Sequence, residues 1–272
     1  MSNSYTLIKG SVPLLISMPH NGEEIPADIA EMMTAKGREA ADTDWAMDRL
    51  YAFAKELGAY LLIPKYNRYV IDLNRDPDGI DLYPGANNTE LCPTTAFDLS
   101  PLYQAGCAPS AEQITERVAY YWQPYHQALA STMQAIKTEF GRAVLLEAHS
   151  IRSHVPRFFQ GQLPDFNFGN ADGKSCAPEL MAALVDIDYA PYTMVCNGRF
   201  KGGYITRAFG QPHDNFHAIQ LELSQHTYMD EQAMTYNQSL ALQVQPKLAA
   251  LVNTLINFPA IKATVNTKQA TE

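Results

Sequence analysis

Apolar positions along the chain fall into two rhythms. The first is a set of short, nearly continuous apolar runs that break off on polar or small residues. They cover residues 5–10, 13–18, 59–66, 69–74, 143–149, 192–197 and 217–223. Runs of this kind, apolar on both alternating faces, predict strands covered on two sides. The second rhythm is helical. Residues 44–57 place Trp45, Leu50, Phe53, Ala54 and Leu57 near one face, and Gly58 is a natural stop. A longer helical pattern covers 110–139, opening at Pro109-Ser110 with Glu112 and Gln113 in its first turn, and others cover 177–186 and 231–256. Strands alternating with helices predict an α/β layered fold with a mixed, mostly parallel sheet. Residues 75–109 and 152–175 are rich in turn formers and read as long irregular excursions, a length of loop that usually carries function or disorder. No repeat or boundary divides residues 1–258, expected to form one catalytic domain, and the polar tail 259–272 is expected to fray.

Composition narrows the function classes. The 272 residues are 46% hydrophobic and 18% charged, the balance of an ordinary globular protein. The net charge of −9 disfavours a nucleic-acid partner and requires a locally basic pocket for any anionic substrate. Cys92, Cys107, Cys176 and Cys196 are scattered without a CxxC pair, which argues against a cysteine-based zinc site and fits a reducing cytoplasm. MSNSYTLIKG lacks the charged and apolar regions of a signal peptide, and no apolar run reaches the ~18 residues expected of a membrane span. Oligomeric state leaves no mark in the sequence.

Candidate chemistry gathers where the predicted strands end, the edge at which open α/β sheets bind ligands. One strand runs to His20 with Glu23 close behind, another to Asp72-Leu73-Asn74-Arg75, a third to His149 with Arg152, a fourth into Asn197-Gly198-Arg199, and a fifth holds Glu222. A lone histidine at a strand end is more often structural. Two of them with acids nearby can supply the imidazole–imidazole–carboxylate set of a catalytic zinc site. His20 and Glu23 have H-x-x-E spacing, and Asp44 is the rival carboxylate. Of the neighbouring aspartates, Asp42 is read as the cap of the following helix, leaving Asp44 for metal. Glu222, between Leu221 and Leu223, is either an outward strand acid or a buried one whose raised pKa suits proton transfer. Arg75, Arg152, Arg199, Lys201 and Arg207 follow strand ends on an acidic chain, a pattern suited to carboxylate capture, although surface charge accounts for at least one of them.

The blocks SMPHNG, DTDWAMDRLYAFAKELGA, NRYVIDLNRDPDG, EAHSIRSHVPRFFQGQLPDFNFG, NGRFKGGYITRAFG and QLELSQHTYMDE together resemble the N-formylglutamate deformylase (amidohydrolase) family, over about residues 5–250. The resemblance implies a single-domain three-layer sandwich of the zinc carboxypeptidase and aspartoacylase kind. It also implies hydrolysis of N-formyl-L-glutamate to L-glutamate and formate in histidine degradation. Zinc, or another divalent transition metal, would be held by His20, His149 and a third ligand. Sequences similar to this one usually keep the aspartate at Asp44 and often lack an acid at Glu23, so Asp44 is favoured and Glu23 is the alternative. Glu222 falls on the proton-handling position. Asn74 and Arg75, with Arg152, Arg199 and Arg207, fall to binding a small dianionic substrate. The neighbouring readings are hydrolysis of an acetyl or succinyl amino acid, and an inactive anion-binding protein.

Overall fold

In the computed structural model, which describes residues 4–80 and 88–261, the apolar runs build one seven-stranded sheet. Its strands are β1 (Tyr5–Ile8), β2 (Leu14–Ser17), β3 (Tyr60–Pro64), β4 (Ala143–Ile151), β5 (Phe166–Gly169), β6 (Met194–Cys196) and β7 (Phe216–Ser224), in spatial order β1-β3-β2-β4-β7-β5-β6. β3, β2, β4 and β7 run parallel. β1 is antiparallel to β3, and β5 and β6, parallel to each other, oppose β7. The sheet is therefore mixed, with a parallel centre, as the alternating pattern predicts.

The helices are α1 (Ala27–Met32), α2 (Ala35–Arg38), α3 (Met47–Leu50), α4 (Ala52–Glu56), α5 (Ala111–Arg117), α6 (Gln123–Phe140), α7 (Pro178–Val185), α8 (Tyr204–Phe209) and α9 (Gln238–Asn257). One core layer joins Leu14, Ile16, Leu146, Ala148, Leu221 and Leu223 to apolar residues of α3, α4, α7 and α9. The other joins Leu15, Leu145 and Ala218 to Tyr125, Leu129, Met133 and Ile136 of α6. Successive strand residues thus enter opposite layers, which is why the central strands read as unbroken apolar runs. All nine residues of β4 are buried. The alternation also fixes which polar side chains share a face. Glu147 and His149 on β4, and Gln220 and Glu222 on β7, face away from the layer holding Leu146, Ala148, Leu221 and Leu223.

Several predicted elements fold otherwise. Residues 69–74 are turns, not a strand. Several of their amides are taken locally: Asn67 Oδ1 accepts from Tyr69 N and Asp72 Oδ1 from Asn74 N, the Asx alternative to a ladder, while Asp72 N donates to Leu91 O. The helix expected over 44–57 is broken into α3 and α4 and begins only after Ala46, which is left-handed at φ 55°. Its first amides, Met47 N and Asp48 N, are capped by Asn21 Oδ1 from beyond β2. Asp42 caps no helix. It accepts from Tyr69 Oη at 2.5 Å and from Phe97 N at 2.7 Å, tying two loops together. The 110–139 pattern is one apolar face interrupted by a π-helical turn at Val118–Trp122, and Ser110 and Gln113 form its capping box. The last helix starts at Gln238, capped by Asn237. The first residues of the expected 231–256 pattern instead belong to a small hairpin of β8 (Met229–Asp230) and β9 (Thr235–Tyr236). β5 lies inside the excursion 152–175, and α8 is a further helix. Most of the expected tail, 262–272, falls outside the described residues.

Candidate active site

The parallel strands converge on a pocket at their carboxyl ends. β2 ends at Ser17, and a turn closed by Asn21 N→Met18 O brings His20 over the sheet edge. His149 sits near the end of β4. Asp44, in the loop before α3, is fixed by its backbone N–H donating to His20 O and by its Oδ2 accepting from Ser150 N at 3.1 Å. His20, Asp44 and His149 are all buried, and one donor atom from each lies within 4.8 Å of the others. Asp44 Oδ2 is 3.7 Å from His20 Nδ1 and 3.1 Å from His149 Nδ1. Both imidazoles therefore turn Nδ1 toward one carboxylate. Two imidazoles and a carboxylate converging this way can hold a divalent transition metal. Glu23 is exposed and is not one of the three residues that converge.

The opposite edge of each ring is also engaged. His20 Nε2 lies 2.6 Å from Asp72 Oδ1, and Arg68 Nη2 donates to Asp72 Oδ2 at 2.8 Å. Arg68 Nη1 stands 3.8 Å from Asp44 Oδ1, so one buried guanidinium spans both carboxylates. His149 Nε2 lies 3.0 Å from Asn74 Nδ2 and 3.3 Å from Glu147 Oε2. Carboxylates behind metal-ligating histidines orient the rings and raise their basicity. Asp72 and Glu147 stand where that role requires.

Charge states follow from burial and these neighbours. Burial and Arg68 press His20 down to about 4 against the pull of Asp72 and Asp44. Burial would lower His149 as well, but its hydrogen bonds with Asp44 and Glu147 push it up to about 10. Burial opposes the charge on Asp72, yet Arg75, His20 and Arg68 hold its carboxyl well below the ordinary value. Burial raises Glu222 to about 8, with His149 opposing and Asp44 adding to the shift. Glu222 is the register partner of His149 across β4 and β7, so it faces the same pocket. A carboxyl poised near neutrality beside a metal-capable set can take and return a proton.

The pocket, partly open to solvent, spans about 650 Å³ of space not filled by protein. His20, His149 and Glu222 line it together with Arg68, Asn74, Arg75 and Arg199. Arg75 is braced by donating to Thr89 O, Thr89 Oγ1 and Asn74 O. Arg199 Nε donates to Phe158 O. Asn74 Oδ1 accepts from Ile205 N, and a Cβ on Gly203 would sit 2.3 Å from Asn74 Nδ2, so only glycine lets α8 approach this closely. Arg152 and Arg207 are not among the described residues of the pocket wall. Arg152 Nη2 meets Met234 Sδ, and Arg207 Nε donates to Gly202 O. Lys201 pairs with Asp172. Sequence alone gives no role to Arg68, Glu147 or Gln220, and Asp72 enters only as the first residue of the Asp72-Leu73-Asn74-Arg75 segment. For Arg68 a signal existed: an arginine seven residues before Arg75, in the two-residue gap between the runs 59–66 and 69–74.

A metal-capable donor set and a buried carboxyl share one pocket at the carboxyl edge of an α/β sheet, an arrangement suited to hydrolytic chemistry. The comparisons agree. The chain belongs to the N-formylglutamate amidohydrolase family, whose model matches residues 12–229. It is 49% identical to the N-formylglutamate deformylase of Pseudomonas aeruginosa over 91% of this chain and 94% of that protein. It is 44% identical to the N-formylglutamate deformylase of Pseudomonas putida over 93% and 95%. Among solved structures, the N-formylglutamate amidohydrolase from Ralstonia eutropha JMP134 superposes with a TM-score of 0.79 at 27% identity, covering 92% of this chain and 95% of that one. The chain is thus an amidohydrolase, and no helix among its described residues is long and apolar enough to cross a membrane.

Proposed function

We propose that this protein hydrolyses N-formyl-L-glutamate to formate and L-glutamate, as a zinc-dependent step of histidine degradation in the cytoplasm. Glu222 carries the reading: a buried carboxyl held near 8 faces the pocket beside His149 and Asp44. His20, Asp44 and His149 would hold the zinc, for which their donor types fit. When bound, such an ion supplies Lewis acidity, lowering the pKa of water from ~15.7 toward ~7 and polarising a carbonyl.

The chain's own residues do the rest. Arg75 and Arg199 line the pocket and meet the two carboxylates of the glutamyl part, which sets the formyl carbon beside Glu222. Glu222 takes a proton from the attacking water and gives it to the departing nitrogen as the C–N bond breaks. Water thus supplies the hydroxyl of formate and a proton of the amine. A dianionic small molecule is the partner the reading requires, with no role for nucleic acid or a membrane.

The test is formate release from N-formyl-L-glutamate, run beside N-acetyl- and N-succinyl-L-glutamate and N-formyl-L-leucine, with metal analysis of the same sample. The formyl dianion should turn over fastest and N-formylleucine poorly. Tight binding of N-formylglutamate without formate release would make the protein an anion binder instead. Faster turnover of the acetyl or succinyl compound would transfer the assignment to that acyl group.

A further inference from the structure

Glu147 is wholly buried on β4, two residues before His149. Its Oε2 has one partner, His149 Nε2 at 3.3 Å, and its Oε1 is buried with no hydrogen-bond partner among the described residues. Asp72, the counterpart behind His20, is fully engaged: it meets His20, Arg68 and the backbone of Asn74. A buried carboxyl with an orphaned oxygen costs stability, and buried groups of this kind are rare enough to need a reason. Its register neighbours are Ser17 and Gln220, and their side chains are engaged elsewhere: Ser17 Oγ with Tyr125 Oη, Gln220 Oε1 with Gly203 N and Gln220 Nε2 with Glu222.

The ring beside it supplies the reason. His149 Nε2 stands between Glu147 and Asn74. Asn74 Oδ1 is committed to Ile205 N–H, so Asn74 presents Nδ2 to the ring and can only donate. Glu147 can only accept there. A histidine that gives Nδ1 to a metal must carry its single hydrogen on Nε2. Of the two neighbours, Glu147 alone can receive that hydrogen.

We propose that Glu147 is a positioning residue: by accepting from Nε2–H it holds that tautomer of His149 and keeps Nδ1 open toward Asp44. This rests on the proposal that the triad holds a metal. It predicts a residue kept at a cost in stability for the sake of ligand geometry.

Glu147→Gln and Glu147→Leu test it, read by zinc affinity in chelator competition and by thermal melting of the metal-free proteins. Zinc affinity should fall ~10-fold or more in Glu147→Gln, as for other groups behind metal ligands, and further in Glu147→Leu. Melting temperature should hold or rise. Unchanged zinc affinity in both variants, or a drop in melting temperature without a change in affinity, would reduce Glu147 to a structural residue. In case neither variant folds, nitrogen NMR of the zinc-loaded wild type gives a second reading. A protonated His149 Nε2 is expected, and a bare one overturns the assignment. Wild-type protein that takes up no zinc would instead sink the metal reading, and this proposal with it.

Discussion

His149 and Glu222 are register partners on the parallel strands β4 and β7, so a candidate ligand and a candidate proton carrier enter the pocket side by side from the rigid centre of the sheet. Neither depends on a loop for its position. Replacing one should therefore leave the other in place.

That independence makes Glu222→Gln informative. The amide keeps the shape but cannot accept a proton. Bound metal and KM should be retained, and kcat should fall by ~10²–10⁴, the usual contribution of a general acid–base group. The wild type should lose activity as pH falls through the Glu222 pKa, because the protonated carboxyl is no base. Glu222 lies at about 8 without a cation, and a dication nearby would draw it lower, so the acid limb should lie below 8. The limb should vanish in Glu222→Gln. Near wild-type turnover in that variant would return Glu222 to the role of a buried strand acid.

The ligand set makes a contrasting prediction. Alanine at His20, Asp44 or His149 should strip bound metal and abolish activity while far-ultraviolet circular dichroism stays close to wild type. Glu23→Ala should keep its metal, since Glu23 is exposed and lies outside the converging set. Metal analysis of the four purified variants decides the matter. Metal retained in Asp44→Ala and lost in Glu23→Ala would hand the third position to Glu23.

What the sequence yields and withholds here has a physical pattern. β2, β4 and β7 were legible because strands buried on both faces must be continuously apolar, and polar residues at their ends stand out against that background. His20, His149 and Glu222 were visible for this reason. The 69–74 segment misled because Tyr69, Val70 and Ile71 are buried by tertiary packing, while Asn67 and Asp72 take the Tyr69 and Asn74 amides in turns and Leu91 O takes that of Asp72. Burial was read correctly and hydrogen bonding was not. The cap expected of Asp42 fails because the helix beside it is capped by the distant Asn21, while Asp44, set apart for metal, joins the converging set. Glu147 was hidden inside the apolar run of β4, and Arg68 in the short gap between two such runs, where a charge reads as a turn residue; that each meets a neighbour close in sequence, His149 and Asp72, depends on folding that the pattern does not show. Arg152 and Arg207 show the reverse limit: proximity to a strand end in sequence does not bring a side chain to the pocket wall.

Arg75 gives a binding prediction. Its guanidinium lines the pocket while three of its nitrogens brace it against Thr89 and Asn74. Losing a charge-assisted contact to a substrate carboxylate costs about 1.5–3 kcal/mol, so Arg75→Ala should raise KM for N-formylglutamate roughly 10- to 150-fold at 1.4 kcal/mol per decade. Arg75→Lys should recover only part of this, because an ammonium has no fork to brace and bind at once. Unchanged steady-state kinetics in Arg75→Ala would assign Arg75 to the loop alone.

The last prediction concerns stability and follows from His126. Its ring stacks on Trp122 with centroids 3.6 Å apart, and Nε2–H donates to Leu73 O at 2.8 Å, which pins the Asp72–Arg75 segment to α6. Burial lowers its pKa to about 4, with the Leu73 contact opposing. The ordinary histidine value of the unfolded chain is 6.5. Between those values the unfolded chain binds the proton and the folded one does not. The contribution of His126 is thus complete above 6.5 and is lost as pH falls toward 4, at up to ~1.4 kcal/mol per pH unit. Glu222 and His149, whose folded values are raised, act in the opposite direction as pH changes, so the total slope is not diagnostic. The difference between wild type and His126→Gln is. Urea melts at pH 7.5, 6 and 5 should show the stability gap between the two proteins narrowing as the solution becomes more acidic. A gap that stays constant, or widens, would mean that His126 titrates alike in both states and that its ring is not held neutral in the fold.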